Sequence, residues 1–205
     1  MILLDWTRMG KSYCLAGVVQ QNGQMRVVRP LLVRHRHAPI RNVGWSSFLM
    51  DGHARWEVFE LVRPEPAEPR PPHLEDIWVQ SMRPRRTLAS PALRRAILQA
   101  TLTPPDKPWF GAPLTTTRSA AYLAPGSGER SLASVLVPMR AIHFTASWRD
   151  GTPEPDYRLT VAVPGLEGRS LPVKDHFLLQ RGETASSDVY GRIRALTLAV
   201  GQMGE

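Results

Sequence analysis

Five arginines and two histidines stand between residues 26 and 41, with no acidic residue among them. Guanidinium groups bind phosphates through paired hydrogen bonds and stack on nucleobases, so this stretch is suited to nucleic acid. In a strand, Arg34 and Arg36 would share one face, while His35 and His37 would point the other way. The alternative is a solvated, arginine-rich loop. The arginines are Arg26, Arg29, Arg34, Arg36 and Arg41.

A second basic group follows between residues 83 and 86, and Arg8 adds a charge near the start of the chain. Aromatic side chains beside such groups stack on bases in single-stranded nucleic-acid sites. Trp45 is the candidate for stacking, with Trp6 and Trp56 in the same half of the chain. Solvated arginines beside core tryptophans are the alternative. The predicted nucleic-acid-binding residues are Arg8, Arg26, Arg29, Arg34, Arg36, Arg41, Trp45, Arg83, Arg85 and Arg86.

Residues with catalytic potential are sparse. His73, Glu75 and Asp76 stand together in "HLED" and could serve a nuclease-like metal site, or the carboxylates could neutralise nearby arginines. His35 and His37 supply two metal ligands without a third at a fixed spacing. The sequence contains neither a P-loop nor a G-x-S-x-G nucleophile motif. We therefore predict no catalytic residue, no metal site and no cofactor.

The composition favours an acidic partner. The chain has 205 residues, a formal net charge of +8 and a pI of about 10.5. Residues 1–60 carry eight Lys or Arg against four Asp or Glu, whereas residues 111–205 carry ten against nine. Nucleic acid is the first expectation and an anionic membrane surface the second. A genome rich in G+C would also replace lysine by arginine.

Cys14 is the only cysteine, which excludes an internal disulfide and a cysteine-based zinc site. The apolar start of the chain is too short for a signal peptide or a membrane span, and Asp5 and Arg8 interrupt it. We expect a soluble, cytoplasmic protein with no membrane partner. Because Cys14 stands in an apolar stretch, packing is its expected role.

Alternating polar and apolar residues predict a β-rich first half. We expect strands in "ILLDW", "YCLAGVVQ", "QMRVVRPLLV" and "RWEVFELV", with Asn22 and Gly23 as the hairpin turn between the second and the third. The proline-rich residues 63–73 are expected to form an extended strap, since proline continues neither a helix nor a central strand. A short strand around Ile77 to Val79 follows.

One helix is predicted, in "SPALRRAILQATL", where Ser90 is suited to cap the helix and Pro91 to occupy its first turn. The last part of the chain returns to strand patterns. Pro138 is expected to divide "SLASVLVPMRAIHFTASW" into two strands. "DYRLTVAVPG" and "RSLPV" indicate further strands, and "DVYGRIRALTLAV" indicates a closing strand or helix.

Three blocks of the sequence resemble bacterial proteins described as containing a dual OB domain. They are "DWTRMGKSYCLAGVVQQNGQMRVVRP", "PHLEDIWV" and "YRLTVAVP". The resemblance implies two OB-like β-barrels packed together and a nucleic-acid-associated role in mobile-element or phage-defence systems, with no reaction. The expected fold class is mainly β, with two OB-like small β-barrels and a short helix between them. We expect the first barrel and its proline-rich strap in residues 1–82, the connecting helix in 83–106 and the second barrel in 107–205.

The function that we expect is non-catalytic binding of RNA or single-stranded DNA, within a larger complex that contains other protein subunits. Such binding is mostly electrostatic and only loosely specific for sequence. A protein-interaction adaptor, whose arginines face an acidic partner, is the second hypothesis. A metal-dependent nuclease that uses His73, Glu75 and Asp76 is the third.

Overall fold

The chain folds mainly as β-strands. The computed structural model describes residues 1–9, 12–36, 44–46, 52–104, 107–117, 121–137, 142–148, 150–151, 155–162, 166, 168–174 and 195–199. Contacts divide the chain into two compact units, residues 1–102 and residues 103–205, called unit 1 and unit 2.

Unit 1 contains a seven-stranded sheet and one helix. Its elements in chain order are β1 (Ile2–Met9), β2 (Ser12–Gln21), β3 (Gln24–Leu32), β4 (Glu57–Val62), β5 (Glu65–Pro66), β6 (Asp76–Val79), β7 (Ser81–Leu88) and the helix α1 (Pro91–Thr101). The order across the sheet is β5-β6-β3-β2-β1-β4-β7. A 3₁₀ turn, Val33–His35, follows β3.

β1, β2 and β3 form an antiparallel meander. The hairpin between β2 and β3 turns at Asn22 and Gly23, whose φ angles of 51° and 78° lie in the left-handed region. Glycine and asparagine tolerate that region best, and the turn predicted from these two residues is confirmed. A bulge between Leu3 and Asp5 shifts the register of β1 against β2 by one residue.

β4–β5 and β6–β7 are the two arms of one long hairpin. Two residues separate β4 from β5, and Gln80 alone separates β6 from β7. The antiparallel register is the same on both sides of these interruptions, as Val62 pairs with Ser81 and Glu65 pairs with Trp78. Each arm therefore continues as a single strand line.

This hairpin closes a ring of strand pairings. β6 lies parallel to β3, from Arg29 opposite Asp76 to Leu32 opposite Val79. β4 lies antiparallel to β1 at Ile2. The strand lines therefore follow one another in the order β1, β2, β3, β6–β7 and β4–β5, and the last line meets β1 at the single pair of Val58 with Ile2. The sheet curls into a half-barrel.

The proline-rich stretch forms the loop of the long hairpin. Residues 67–75 connect β5 to β6, and the peptide bond between Pro71 and Pro72 is cis. These residues form neither helix nor strand, as the sequence predicts. Glu65–Pro66 adds one short strand, which stands last in the order of the sheet and not at its centre.

The bulge in β1 decides which side chains fill the core of unit 1. It brings Trp6 to the same face of the sheet as Leu3, and the pairings place Leu15, Val28 and Val79 on that face too. All five side chains are at most 2% exposed. Because burying one large apolar side chain contributes about 1.5–3 kcal/mol, this face is a main source of stability.

α1 packs against the opposite face of the sheet. Ser90 Oγ accepts a hydrogen bond from the Leu93 amide at 3.2 Å, and Pro91 is the first helical residue. The predicted cap and helix start are therefore confirmed. Ile97 is fully buried and packs against Val18 of β2, so the helix is fixed to the meander through its apolar side.

The segment expected as a connecting helix, residues 83–106, contains the end of β7 as well as α1. By its contacts α1 belongs to unit 1. In the parts of the chain that the structure describes, no helix is long and apolar enough to cross a membrane.

Unit 2 is built from short antiparallel strands. They are β8 (Thr115–Thr116), β9 (Ala121–Tyr122), β10 (Leu132–Leu136), β11 (Ile142–Ser147), β12 (Asp156–Val161), β13 (Ser170–Pro172) and β14 (Ala195–Ala199). They pair as β8-β9, as β10-β14 and as β11-β12-β13. The segment that was expected to be divided contains two strands, β10 and β11, while Pro138 itself lies outside the described residues; the described part of the closing segment is a strand.

The core of unit 2 follows the alternation along β12. Tyr157, Leu159 and Val161 are buried, whereas the residues between them are only half-buried. These three side chains pack with Val135 and Val173, among others. The period of two that predicted a strand in "DYRLTVAVPG" is therefore the pattern that forms this core.

Candidate nucleic-acid interface

Arg8, Arg34 and Arg36 lie at one end of the unit 1 sheet. β1 and β3 are both antiparallel to β2, so they end on the same side of the sheet. Arg8 stands near the end of β1, and the 3₁₀ turn after β3 carries Arg34, with Arg36 next to it. All three side chains are exposed. These three arginines are called the β1–β2 end group.

The strand geometry expected for Arg34 and Arg36 is wrong. β3 ends at Leu32, and the chain then enters the 3₁₀ turn, in which the Arg36 amide donates to the Val33 carbonyl at 3.0 Å. Residues two apart in such a turn do not share a face as they do in a strand. His37 and Arg41 lie outside the described residues, as do the side chains of His35 and Arg86.

Arg36 makes two contacts across the sheet end. Its Nη2 lies 2.6 Å from Oε2 of Glu65, and its guanidinium carbon lies 5.6 Å from the ring centroid of Trp78. Glu65 and Trp78 are opposite each other in the pairing of β5 with β6. An exposed ion pair is worth at most about 1 kcal/mol, and a surface cation–π contact about 0.5–1 kcal/mol. A ligand could therefore displace Arg36 at small cost.

The aromatic partner of this group was not predicted from the sequence. Trp78 is half-buried and lies within the predicted strand Ile77 to Val79. Trp78 directly precedes Val79, which is fully buried. Because neighbours in a strand point to opposite faces, a buried Val79 turns Trp78 toward the other face.

Arg29 does not lie on an exposed surface. It is 9% exposed, and its Nε and Nη2 donate to the two carboxylate oxygens of Asp76 at 2.5 and 2.8 Å. Burial by itself lowers the pKa of Arg29, but the hydrogen bond to Asp76 and the nearby acidic groups together outweigh it, and the net shift is upward. Burial raises the pKa of Asp76, which Arg29 opposes. The predicted phosphate-binding role of Arg29 gives way to a buried structural ion pair.

The tryptophans proposed for base stacking are buried. Trp45 is 3% exposed and its Nε1 donates to the Pro30 carbonyl at 2.8 Å. Its backbone also exchanges hydrogen bonds with Tyr13. Trp6 is 2% exposed, and Trp56 is half-buried with Arg94 over its ring at 5.9 Å. Trp45 therefore has no free face for a base in this structure, and its prediction as a stacking residue is corrected.

Arg26, Arg83 and Arg85 are exposed and lie away from the β1–β2 end group. Arg26 stands near the start of β3, six residues before Leu32, which is about 20 Å along a strand. Arg83 and Arg85 are on β7, where Arg85 Nη2 lies 2.7 Å from Oε2 of Glu60. The predicted residues thus form two separate groups and not one continuous surface.

His73, Glu75 and Asp76 do not form a metal site. Asp76 is occupied by Arg29, and Glu75 is 6% exposed. The pKa of His73 falls to about 4, first because of burial and second because of the positive charge of Arg29. Among the described residues, no three His, Cys, Asp or Glu side chains are placed to hold a metal ion. The geometry gives the nuclease hypothesis no support.

Cys14 lies in the buried surroundings of the Arg29–Asp76 pair. Burial raises the pKa of its thiol, and the charge of Arg29 only partly opposes that. A thiol held in its neutral form is a poor nucleophile. Its packing role, predicted from the apolar strand, fits this environment.

Comparisons with known proteins give no relative for this chain: no family model, no curated protein and no solved structure matches it.

Proposed function

We propose that unit 1 is an OB-like barrel that binds RNA or single-stranded DNA without cleaving it, as one subunit of a larger complex. The observation that carries the proposal is the β1–β2 end group, in which three exposed arginines stand at one end of a curled sheet, with Trp78 under one of them. Arginines that track phosphates and an aromatic ring that stacks on a base are the usual elements of a single-strand site.

The ring of strand pairings supports the OB part of the proposal. An OB fold is a five-stranded, partly open Greek-key barrel, and it binds oligonucleotides on strands 2 and 3 and on the loops that follow strands 1 and 4. The five strand lines of unit 1 would correspond to these strands. The loop that follows strand 4 would then be residues 67–75, and Arg8 would stand near the end of strand 1. The sequence resemblance to dual OB proteins agrees with this assignment and is our reason for expecting protein partners and a second barrel in unit 2.

The kind of binding follows from the kind of residue. Arg8, Arg34 and Arg36 stand on a turn and at a strand end, and no rigid helix positions them for a groove of duplex DNA. Guanidinium groups placed in this way bind phosphates of any sequence, and binding then depends steeply on salt. We therefore propose an electrostatic, weakly sequence-specific interaction.

The test is a fluorescence-anisotropy titration of labelled single-stranded RNA and DNA, with and without magnesium, followed by gel analysis of the same samples. We expect binding of intact strands and no shortening of the label. A strand that stays free at low salt would contradict the binding, and magnesium-dependent cleavage would contradict the non-catalytic part.

A protein-interaction adaptor is the second candidate, and one observation favours it. Exposed arginines of unit 1 already hold carboxylates, among them Arg36 with Glu65 at 2.6 Å and Arg85 with Glu60 at 2.7 Å. An acidic partner would offer the same chemistry from outside. In that case the titration shows no binding to either nucleic acid, whereas a labelled acidic peptide binds to the same arginines in place of Glu65 and Glu60.

A further inference from the structure

A cleft opens in the unit 1 sheet where β1 begins. The pairing of β1 with β2 ends at Ile2, which lies opposite Val18, whereas β2 continues beyond this pair to Gln21. On the other side of β1, β4 continues to Val62. The sheet therefore has a gap between β2 and β4, with Met1 at its base and an open volume of about 400 Å³.

The walls of the cleft are mostly apolar. Val19 and Met25 line it from the β2–β3 hairpin, Phe59 and Leu61 from β4, and Leu93 from α1. The lining also includes two polar side chains, Gln20 on the hairpin side and Glu60 on the β4 side. A ligand with apolar faces and hydrogen-bonding edges matches these walls.

Arginines flank the cleft on both sides. Arg26 is the pairing partner of Val19, and Arg83 is the pairing partner of Glu60. Both arginines are exposed, and neither has a carboxylate partner in the described part of the chain. Arg85 offsets the charge of Glu60. Positive charge thus exceeds negative charge around the opening, which selects an anionic ligand.

We propose that this cleft receives one unstacked nucleobase of the bound strand, with Arg26 and Arg83 on the neighbouring phosphates. The inference rests on the proposed function of unit 1. The thioether groups of Met1 and Met25 are suited to pack on the flat face of a base. Amide and carboxylate side chains bind base edges, which Gln20 and Glu60 could do here. The volume is within the range of small-ligand sites, about 300–1,000 Å³.

The test uses the whole chain with ¹³C-methyl-labelled methionine and two single-stranded oligonucleotides of the same length, one intact and one with abasic sugars throughout. Affinity is measured by anisotropy, and the methionine methyl signals are followed by NMR. We expect the intact strand to shift the signals of Met1 and Met25, which line the cleft. The abasic strand should leave them in place.

A pair of variants adds a second readout. Arg26→Gln with Arg83→Gln should weaken binding of the intact strand about tenfold at low salt, because two phosphate contacts are lost. Arg95→Gln, an exposed arginine on α1, should weaken it less than about twofold.

Each other outcome overturns the inference in a distinct way. Binding of the intact strand without shifts at Met1 and Met25, or equal shifts with the abasic strand, removes the base from the cleft and leaves the proposed function standing. Failure of both strands to bind removes the inference and the proposed function together. Shifts caused by a polyglutamate peptide, and not by the oligonucleotide, assign the cleft to a protein partner.

Discussion

Arg29 and Asp76 face each other across the parallel pairing of β3 with β6, with Nε of one 2.5 Å from Oδ1 of the other. The pair is separated by 47 residues in sequence and its side chains are 11% and 13% exposed. Two charged groups therefore hold together the junction at which the long hairpin meets the meander.

Removing one member of this pair should destabilise unit 1 strongly. Arg29→Met leaves the carboxylate of Asp76 buried without its counter-charge, which typically costs about 3–5 kcal/mol. The free energy of unfolding from urea titration is the measurement. Arg36→Met is the matched control, because its ion pair with Glu65 is exposed and should be worth no more than about 1 kcal/mol. Equal losses in the two variants would contradict the structural role of Arg29.

Trp45→Phe should lower stability and leave nucleic-acid affinity unchanged. The substitution removes the donor to the Pro30 carbonyl, and an unsatisfied buried acceptor costs about 1–3 kcal/mol. Melting curves and anisotropy titrations, the latter far below the melting temperature, separate the two effects. A loss of affinity in a fully folded variant would restore the stacking role that the sequence suggested.

Replacing Arg34 and Arg36 together by Glu should weaken binding to a single strand by more than the loss of two contacts. The new carboxylates repel the phosphates, and fewer counterions are released on binding. The slope of log affinity against log salt should become shallower by about 0.7 per lost contact. The measurement is anisotropy at several salt concentrations. Stability should fall by no more than about 1–2 kcal/mol, because Arg36 loses its exposed ion pair with Glu65 and its contact with the Trp78 ring.

The control for this variant carries the same change in charge elsewhere. Lys107→Glu with Lys174→Glu alters two exposed lysines of unit 2 and should bind almost normally. If both variants lose affinity to the same degree, net charge and not the β1–β2 end group governs binding.

Stability should fall as the pH drops from about 6.5 to about 4. Burial and the charge of Arg29 lower the pKa of His73 to about 4 in the folded chain. Between that value and the ordinary histidine pKa, the unfolded chain binds the extra proton, so acid favours unfolding. Urea titrations across this pH range measure the slope. His73→Gln should reduce the slope by an amount that corresponds to at most one proton.

Local chemistry was sufficient to predict the elements that depend on few neighbours. Asn22 and Gly23 determine the β2–β3 turn through their backbone preferences, and Ser90 with Pro91 determines the start of α1. In each case the decisive interactions lie within a few residues.

The candidate interface could not be predicted in the same way. Whether Arg29 is exposed depends on Asp76, and whether Trp45 is free depends on the Pro30 carbonyl. Both contacts arise from strand order, and composition says nothing about that order. An excess of arginine therefore indicated the charge of the partner without indicating which guanidinium groups remain on the surface.

The late arrival of β6 has a consequence while the chain leaves the ribosome. The three-stranded meander is complete at Leu32, but the strand that covers its far side begins only at Asp76. During this interval the backbone of β3 is an open template on which another nascent chain could pair. Pairing over such a separation in sequence is slow. Pro30 lies within that edge and has no amide hydrogen to donate. It therefore makes β3 a poorer partner for a foreign strand until β6 pairs with it.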